Sequence, residues 1–414
     1  MKKQLLVAAV IFAAVSAQAS KARLNSLGNS PHLVDIQEVF TREPDQALNY
    51  EAATVEFGSN GAATTEAEGG FIRKMGDSAW SMYLGRSSTT FKALTDGLTA
   101  STALGGIASG TADQIAAETA ALRAGHAQAN PLQLTYAGKM SDIAYGASLL
   151  YVGNKLEGFT NTTTVGVDSR TFAGKVDQDI MGLLLGANNG VWDVQLRQGV
   201  TGNITTTGAA DLGSVAALAT ATKLEIESTG STQLSGGYLM DTMYFYGGYN
   251  MSSATAAASN AAGTKTINND ISSNVLTLGV VNSHKKDGVD FFYGASAVLS
   301  NGEVKNKVGA GSKTKTESTI VPLIVGVEAE VSSWMTLRGS LTQPLSILST
   351  SSRKVGTAAS SGESVSDATI TALGAGFKWG KANIDAVVST GTDGNFGVDS
   401  GGDILGQASV TYNF

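Results

Sequence analysis

The stretch ILGQASVTYNF, residues 404–414, decides the fold. Ile404, Ala408, Val410, Tyr412 and Phe414 share one parity, whereas Gln407, Ser409, Thr411 and Asn413 share the other. Successive side chains of a β-strand point to opposite faces, so this strand has one apolar and one polar face. The pattern returns upstream. Trp192, Val194 and Leu196 alternate with Asp193, Gln195 and Arg197; Val321, Leu323, Val325, Val327 and Val331 oppose Glu328 and Glu330; Met335, Leu337 and Leu341 oppose Thr336, Arg338, Ser340 and Thr342. A soluble sandwich alternates in the same way, so periodicity alone leaves two architectures open.

The breaks between strands separate the two. Gly76-Asp77, Ser141-Asp142, Asn188-Asn189-Gly190, Asp241-Thr242, residues 284–288, Ser332-Ser333 and Gly380-Lys381 are short and built of turn formers. Between them lie long segments rich in Ser, Thr, Ala and Gly, at 154–170, 202–222, 253–270, 301–315 and 349–366. Short turns at one end and long loops at the other are the asymmetry of a transmembrane barrel. Trp80, Trp192, Trp334 and Trp379 all stand within or beside short turns, and Tyr244, Phe245, Phe291 and Phe292 follow two more. Aromatic rings gathered at one end form an interfacial girdle, with Phe414 as its C-terminal member, whereas a soluble core would hold Trp in mid-strand.

The expected fold is therefore all-β, a transmembrane antiparallel up-and-down β-barrel over residues 51–414 with about 16 strands, or 14 if residues 51–58 serve otherwise. Pro322 implies a bulge or the true start of its strand, because it cannot donate to a ladder.

The bulk numbers agree. The chain has 414 residues, 42% hydrophobic but only 15% charged, with 50 Gly, 5 Pro and no Cys. Met1, Lys2 and Lys3, an apolar run over 5–15 and Ala17-Gln18-Ala19 read as a signal peptide over 1–19, cut to leave Ser20 first. The remainder carries 26 basic and 35 acidic residues, a net charge of −9, which disfavours nucleic acid as a partner. No later stretch approaches the ~20 apolar residues of a membrane helix, so strands must make any crossing. The absence of Cys excludes disulfide scaffolds and thiol chemistry.

Two segments interrupt the pattern. Residues 20–50 contain Ser30-Pro31, a helix start, followed by Leu33, Ile36, Val39 and Phe40 at helical spacing, with Pro44 as the stop. This short helix is either a tail beneath the barrel or a plug within it. Residues 87–130 contain Thr111-Ala112-Asp113-Gln114, a capping-box pattern that opens a helix over 112–124 carrying Ile115, Thr119 and Leu122 on one face. That loop either narrows the channel or lies as an outer flap.

The residues assigned to the lumen are the charged Asp177, Asp179, Asp193, Arg197, Lys223, Glu225, Glu227, Asp290, Glu328, Glu330, Arg338 and Asp385, together with the neutral Gln195. Their acidic excess predicts a weak preference for cations. Catalysis finds no support: His32, His126 and His284 stand in unlike places and read as surface or loop histidines, and GxSxG and HExxH are absent. Thr392-Asp393-Gly394-Asn395 spaces poorly for calcium. No cofactor is expected.

The terminal strand ending in Phe414 resembles the C-terminal assembly signal of bacterial outer-membrane proteins. The stretch ARLNSLGNSPHLVDIQEVF, residues 22–40, followed by YEAATVEFG, residues 50–58, is similar to the start of the major OmpF-like outer-membrane porins of predatory Gram-negative bacteria. The same region is faintly similar to the N-terminal hatch of long-chain fatty-acid transporters, without their asparagine-proline-alanine motif. The porin resemblance implies passive diffusion of small hydrophilic solutes and ions across the outer membrane, and an even strand count returns both termini to the periplasm. It implies lipid and lipopolysaccharide as surroundings, the barrel-assembly machinery as partner of the last strand, and a homotrimer. The alternatives are a FadL-like channel for apolar substrates and a plugged structural or adhesive barrel.

Overall fold

The structure is a computed structural model, and it describes residues 20–57, 67–85, 131–165, 168–211, 221–260, 262–308, 312–355, 358–363, 369–389 and 407–414. The expected signal peptide, the helix over 112–124, His126 and the tip around Asp393 lie outside the described residues.

Three short helical elements lead into the barrel: α1 (Lys21–Ser26), α2 (Ile36–Thr41) and a 3-10 helix (Pro44–Asn49). The strands follow as β1 (Ala52–Phe57), β2 (Ala67–Met75), β3 (Ser78–Leu84), β4 (Leu132–Met140), β5 (Ile143–Val165), β6 (Asp168–Asn188), β7 (Trp192–Asp211), β8 (Ala221–Met240) and β9 (Met243–Asn260). Then come β10 (Lys265–Lys286), β11 (Val289–Asn306), β12 (Ser312–Ser332), β13 (Met335–Val355), β14 (Ala358–Glu363), β15 (Ile370–Trp379), β16 (Ala382–Ser389) and β17 (Gln407–Asn413). Each pairs antiparallel with its neighbour, and β17 closes onto β1 from Ala52 opposite Asn413 to Phe57 opposite Ala408. β14 and β15 both pair with β13 in successive stretches, so they are two pieces of one stave and the cylinder has 16 strands. Closure removes the unpaired edges that a bilayer could not satisfy.

The outward parity is apolar near the short turns. On β12 it carries Val331, Val327, Val325 and Leu323, and on β11 Val289, Phe291, Tyr293 and Leu299, all exposed. A band of about ten residues per strand is what a tilted stave needs to cross the hydrocarbon. Oily residues facing out, with polar ones facing in, invert the arrangement of a soluble protein.

The segments expected to be long loops are mostly wall. β5 and β6 continue as a ladder to Val165 opposite Asp168, and β12 and β13 to Ser312 opposite Val355. Beyond the hydrocarbon both faces meet water, so apolar alternation disappears while Ser and Thr continue to pair through their backbones. Periodicity therefore understates strand length there. Residues 284–286, expected as part of a turn, likewise belong to β10, and the turn is Asp287-Gly288, both at positive φ. Pro322 neither starts β12 nor sits in a bulge. It faces Pro344 across the ladder, so two residues without N–H share one rung, and the register shift falls between Thr319 and Ile320.

The N-terminal helix starts later than Ser30-Pro31 suggests. Asp35 caps α2 by accepting from the Gln37 N–H at 3.3 Å, while Ser30 and His32 form a turn ahead of it. Pro44 ends one helix and opens the 3-10 helix. α1, which the spacing did not predict, is capped by Ser20, whose Oγ accepts from the Arg23 N–H at 3.1 Å.

Candidate channel and its N-terminal segment

Residues 20–50 pack against inward-facing side chains around nearly the whole circumference. Lys21 N–H donates to Glu56 Oε1 of β1 at 2.9 Å, and Lys21 Nζ to Glu68 of β2 at 2.8 Å. Phe40 stacks on Tyr83 of β3 with ring centroids 4.3 Å apart, within a cluster that includes Ile36, Val39, Ile72 and Ala137. Asp45 accepts from Asn188 of β6, and Arg197 of β7 donates to the Thr41 carbonyl. Leu24, Leu27 and Leu33 form a second cluster with Val281 of β10 and Phe292 of β11, joined by Tyr246 and Ile324. Asn25 donates to Gln407 of β17 at 2.5 Å. The segment thus sits inside the cylinder, towards the short turns.

Glycines on the wall make room for it. A Cβ on Gly146 would overlap the Pro44–Asp45 backbone, and one on Gly186 the Asp45 carboxylate. On β15, a Cβ at Gly374 would stand 2.5 Å from Ser26 Cβ.

The polar centre is an ion network. Arg23 donates to Glu328 through Nε at 2.9 Å and Nη2 at 2.7 Å, a bidentate pair, and through Nη1 to Asp35 at 3.2 Å. Arg338 bridges Glu328 at 2.7 Å and Asp385 at 2.5 Å. Ser20 Oγ donates to Asp385 at 3.0 Å. A second group surrounds Arg42, which pairs with Glu38 at 2.9 Å and Glu43 at 2.7 Å. Burial, partly offset by Arg23, pushes the Asp35 carboxyl up to about 7. Burial likewise raises Glu43 to about 8 against the pull of Arg42, and Asp45 to about 6. His32 is no surface histidine. It is packed edge-on to Phe292 at 4.7 Å, and burial together with Arg23 and Arg42 lowers it to about 3, so it stays neutral.

The expected lumen residues divide. Asp193, Gln195, Arg197, Asp290, Glu328, Glu330, Arg338 and Asp385 lie on the inward parity, opposite exposed Val194, Leu196, Phe291, Val327, Leu337 and Ile384. Asp193 accepts from Tyr244 at 2.8 Å, Asp290 from Ser283 at 2.8 Å, and Arg197 donates to Gln233 at 3.0 Å. Asp177, Asp179, Lys223, Glu225 and Glu227 instead face outward. On β6 the buried residues are Gln178 and Ile180, which puts Asp177 and Asp179 on the other face, where Asp177 meets Lys155 at 3.4 Å. On β8 a bulge between Ser228 and Gly230 exchanges the two faces, turning Ile226 inward and Glu225 and Glu227 outward. β7 carries a matching shift at Val200, which lets Ile204 pair with Ile226 inside.

Sequence reasoning passed over a group on the inner wall nearer the long hairpins: Val152 opposite Ile180, and Ile204 opposite Ile226 and so beside Ala256, all buried. The signal was present in the apolar residues interleaved with Asp177, Asp179, Glu225 and Glu227. Reading it required knowing that the outward face had already left the hydrocarbon.

Trp80, Trp334, Trp379 and Phe414 project outward and are exposed, and Trp192 shares the outward parity but is half-buried beside Tyr238. Trp80 meets Tyr136 edge-on at 4.9 Å, Trp334 stacks on Phe377 at 6.1 Å, and Arg73 lies 4.9 Å over the Phe414 ring. His284 is exposed on β10, stacked with Tyr293 at 6.4 Å. Among the described residues no cluster of His, Asp or Glu could hold a metal ion.

No family model matches the chain, and no curated protein matches it. Solved structures of barrels do. The toluene transporter TodX of Pseudomonas putida is 11% identical, with 96% of this chain and 98% of that one covered and a TM-score of 0.37. OmpT, an outer membrane protein of Vibrio cholerae, is 11% identical over 88% of this chain and 95% of that one, with a TM-score of 0.34. The ferric yersiniabactin uptake receptor FyuA of Yersinia pestis is 13% identical over 63% of this chain, which spans 44% of the receptor's length, with a TM-score of 0.38. Likenesses this distant carry no functional information, and the 16-stranded barrel with its outward apolar band rests on the ladder itself.

Proposed function

We propose that the chain is an outer-membrane channel for passive diffusion of small hydrophilic solutes and ions, held closed by residues 20–50. The observation that carries this reading is the character of the segment's contacts. They combine ion pairs and hydrogen bonds with three separate apolar clusters, and the wall glycines Gly146, Gly186 and Gly374 form recesses for it. A polar, recessed seat suits a part that leaves and returns better than a continuous hydrophobic core does. With the segment out, the inward charges Asp193, Asp290, Glu328, Glu330 and Asp385 outnumber Arg197 and Arg338, which favours cations. On this reading the product is a hole and no reaction is catalysed. Lipid and lipopolysaccharide surround the barrel, both termini face the periplasm, the last strand addresses the assembly machinery, and residues 1–19 are the export signal.

A channel for apolar molecules is the second reading, favoured by one observation: Val152, Ile180, Ile204 and Ile226 on the inner wall. Planar-bilayer conductance of the mature chain against the same chain lacking 20–50 tests the first. Large ohmic, cation-selective steps only in the shortened protein support it, and silence in both sinks it. Liposome swelling with sugars against uptake of a monoaromatic hydrocarbon separates the two solute classes.

A further inference from the structure

The inner wall carries one rung that is acidic across four neighbouring strands. Asp385 of β16 faces Ser409 of β17, Ser409 faces Glu56 of β1, and Glu56 faces Glu68 of β2, so the rung spans the seam where the barrel closes. Two of its three carboxylates have a side-chain cation: Asp385 is held by Arg338 at 2.5 Å, and Glu68 by Lys21 Nζ at 2.8 Å. Glu56 has none. Its Oε1 accepts the Lys21 backbone N–H, while its Oε2 and the neighbouring Ser409 Oγ are buried without a hydrogen-bond partner, in residues 1% and 0% exposed. A lone buried carboxylate oxygen is costly, so a site of this kind calls for a cation.

The main chain of Ser20 runs past this place. Ser20 is fully buried, its Oγ bonds Asp385 on one side, and the next backbone N–H bonds Glu56 on the other. We propose that the α-ammonium of Ser20, released when residues 1–19 are removed, is the cation that fills the pocket formed by Glu56, Ser409 and Asp385. Hydrolysis of the Ala19–Ser20 peptide bond consumes one water, leaves a carboxylate on Ala19 and a free amine on Ser20. That amine takes up a proton at neutral pH and presents three N–H donors where the peptide offered one. Those donors match the unpaired Glu56 Oε2, the Ser409 hydroxyl and the Asp385 carboxylate. Removal of the export signal thereby completes the seat of α1, and the docked segment carries a chemical mark of processing. The charged groups that face this pocket are Glu56, Asp385, Glu68 and Asp35, with Lys21, Arg23 and Arg338 paired to the last three.

The test uses the processed protein purified in detergent and acetic anhydride as the amine probe, with acylation of the Ser20 amine read by mass spectrometry as a function of pH. A free terminus titrates near about 7.7–8.0. Folded protein is expected to react at least tenfold more slowly than heat-unfolded protein, with a midpoint above that range, because the carboxylates hold the proton. Glu56→Gln lowers the midpoint by about one unit or more, and Ser409→Ala lowers it less. A midpoint at or below the free value means burial without an ion pair and overturns the proposal, as does a mature N-terminus other than Ser20 or a midpoint indifferent to both substitutions. If Glu56→Gln does not assemble, the folded and unfolded native chains still decide the matter.

Discussion

The two halves of the lumen are built on opposite terms. Near the short turns, the inner wall is charged and residues 20–50 meet its charges, through Arg23 to Glu328 and Lys21 to Glu68, while Arg42 pairs with Glu38 and Glu43 inside the segment itself. Near the long hairpins the charges have moved outside, where Lys175 meets Glu157 at 2.8 Å and Lys313 meets Glu303 at 2.8 Å, and buried apolar residues such as Ile204 face inward. The difference follows from what surrounds each half. A stave in hydrocarbon must keep its charges inside, whereas the same stave above the bilayer can wear them on either face.

Removing the central cation should break the contrast most. Arg23→Ala leaves Asp35 buried and unpaired and Glu328 half-satisfied, a loss of about 3–5 kcal/mol where a buried pair is broken. Tryptic cleavage after Arg42 in the folded barrel should rise about a hundredfold to a thousandfold or more, at about 1.4 kcal/mol per decade, while the barrel itself still resists unfolding in detergent. Unchanged cleavage would mean that the segment is held by its apolar clusters alone.

Filling a recess acts next. Gly186→Val places a branched side chain where the Asp45 carboxylate lies, and overpacking costs about 1–3 kcal/mol. Open-channel events in a bilayer should become about tenfold or more commoner, whereas Gly247→Val, on the outer face of β9 against Leu278, should leave them unaltered.

The pH response is smaller and has a definite sign. Burial raises Asp35 to about 7 and Glu43 to about 8, so the seated segment binds protons more tightly than the released one. Docking is therefore firmest below the ordinary carboxylate values as far as these two groups decide, and weakens as pH rises through 7 and 8. His32 acts the other way below its ordinary value of 6.5, because it is seated neutral. The clean window is pH 6.5 to 8, across which tryptic release should increase several-fold; a decrease would show that other groups govern docking.

The least disruptive test concerns selectivity. In the chain lacking 20–50, Asp193→Asn with Asp290→Asn should shift the reversal potential toward chloride. Asp177→Asn with Glu225→Gln should leave it in place, since those carboxylates face away from the lumen. A shift of equal size from both pairs would contradict the assignment of faces.

Particular residues show how far the sequence could be read. The parity of residues 404–414 and the short turns at Gly76, Ser141, Asp241 and Gly380 are local properties, and they were enough for a closed barrel of about 16 or 14 strands, of which the structure has 16. The inward set Asp193, Gln195, Arg197, Glu328 and Arg338 was legible because those positions lie within the apolar band, where alternation has only one physical solution. Asp177, Asp179, Lys223, Glu225 and Glu227 were misplaced because charge alone was taken to mean lumen, while the bulge on β8 exchanges faces without any mark in composition.

Sequence by itself settled on an antiparallel barrel of about 16 or 14 strands and on the outward side of each stave within the apolar band, because a period of two is written residue by residue. Only the tertiary structure decided that Ser20 meets Asp385 and Arg23 meets Glu328, partners 365 and 305 residues apart along the chain. Such pairing depends on how closing the cylinder brings distant strands around one short segment, and no local pattern encodes that.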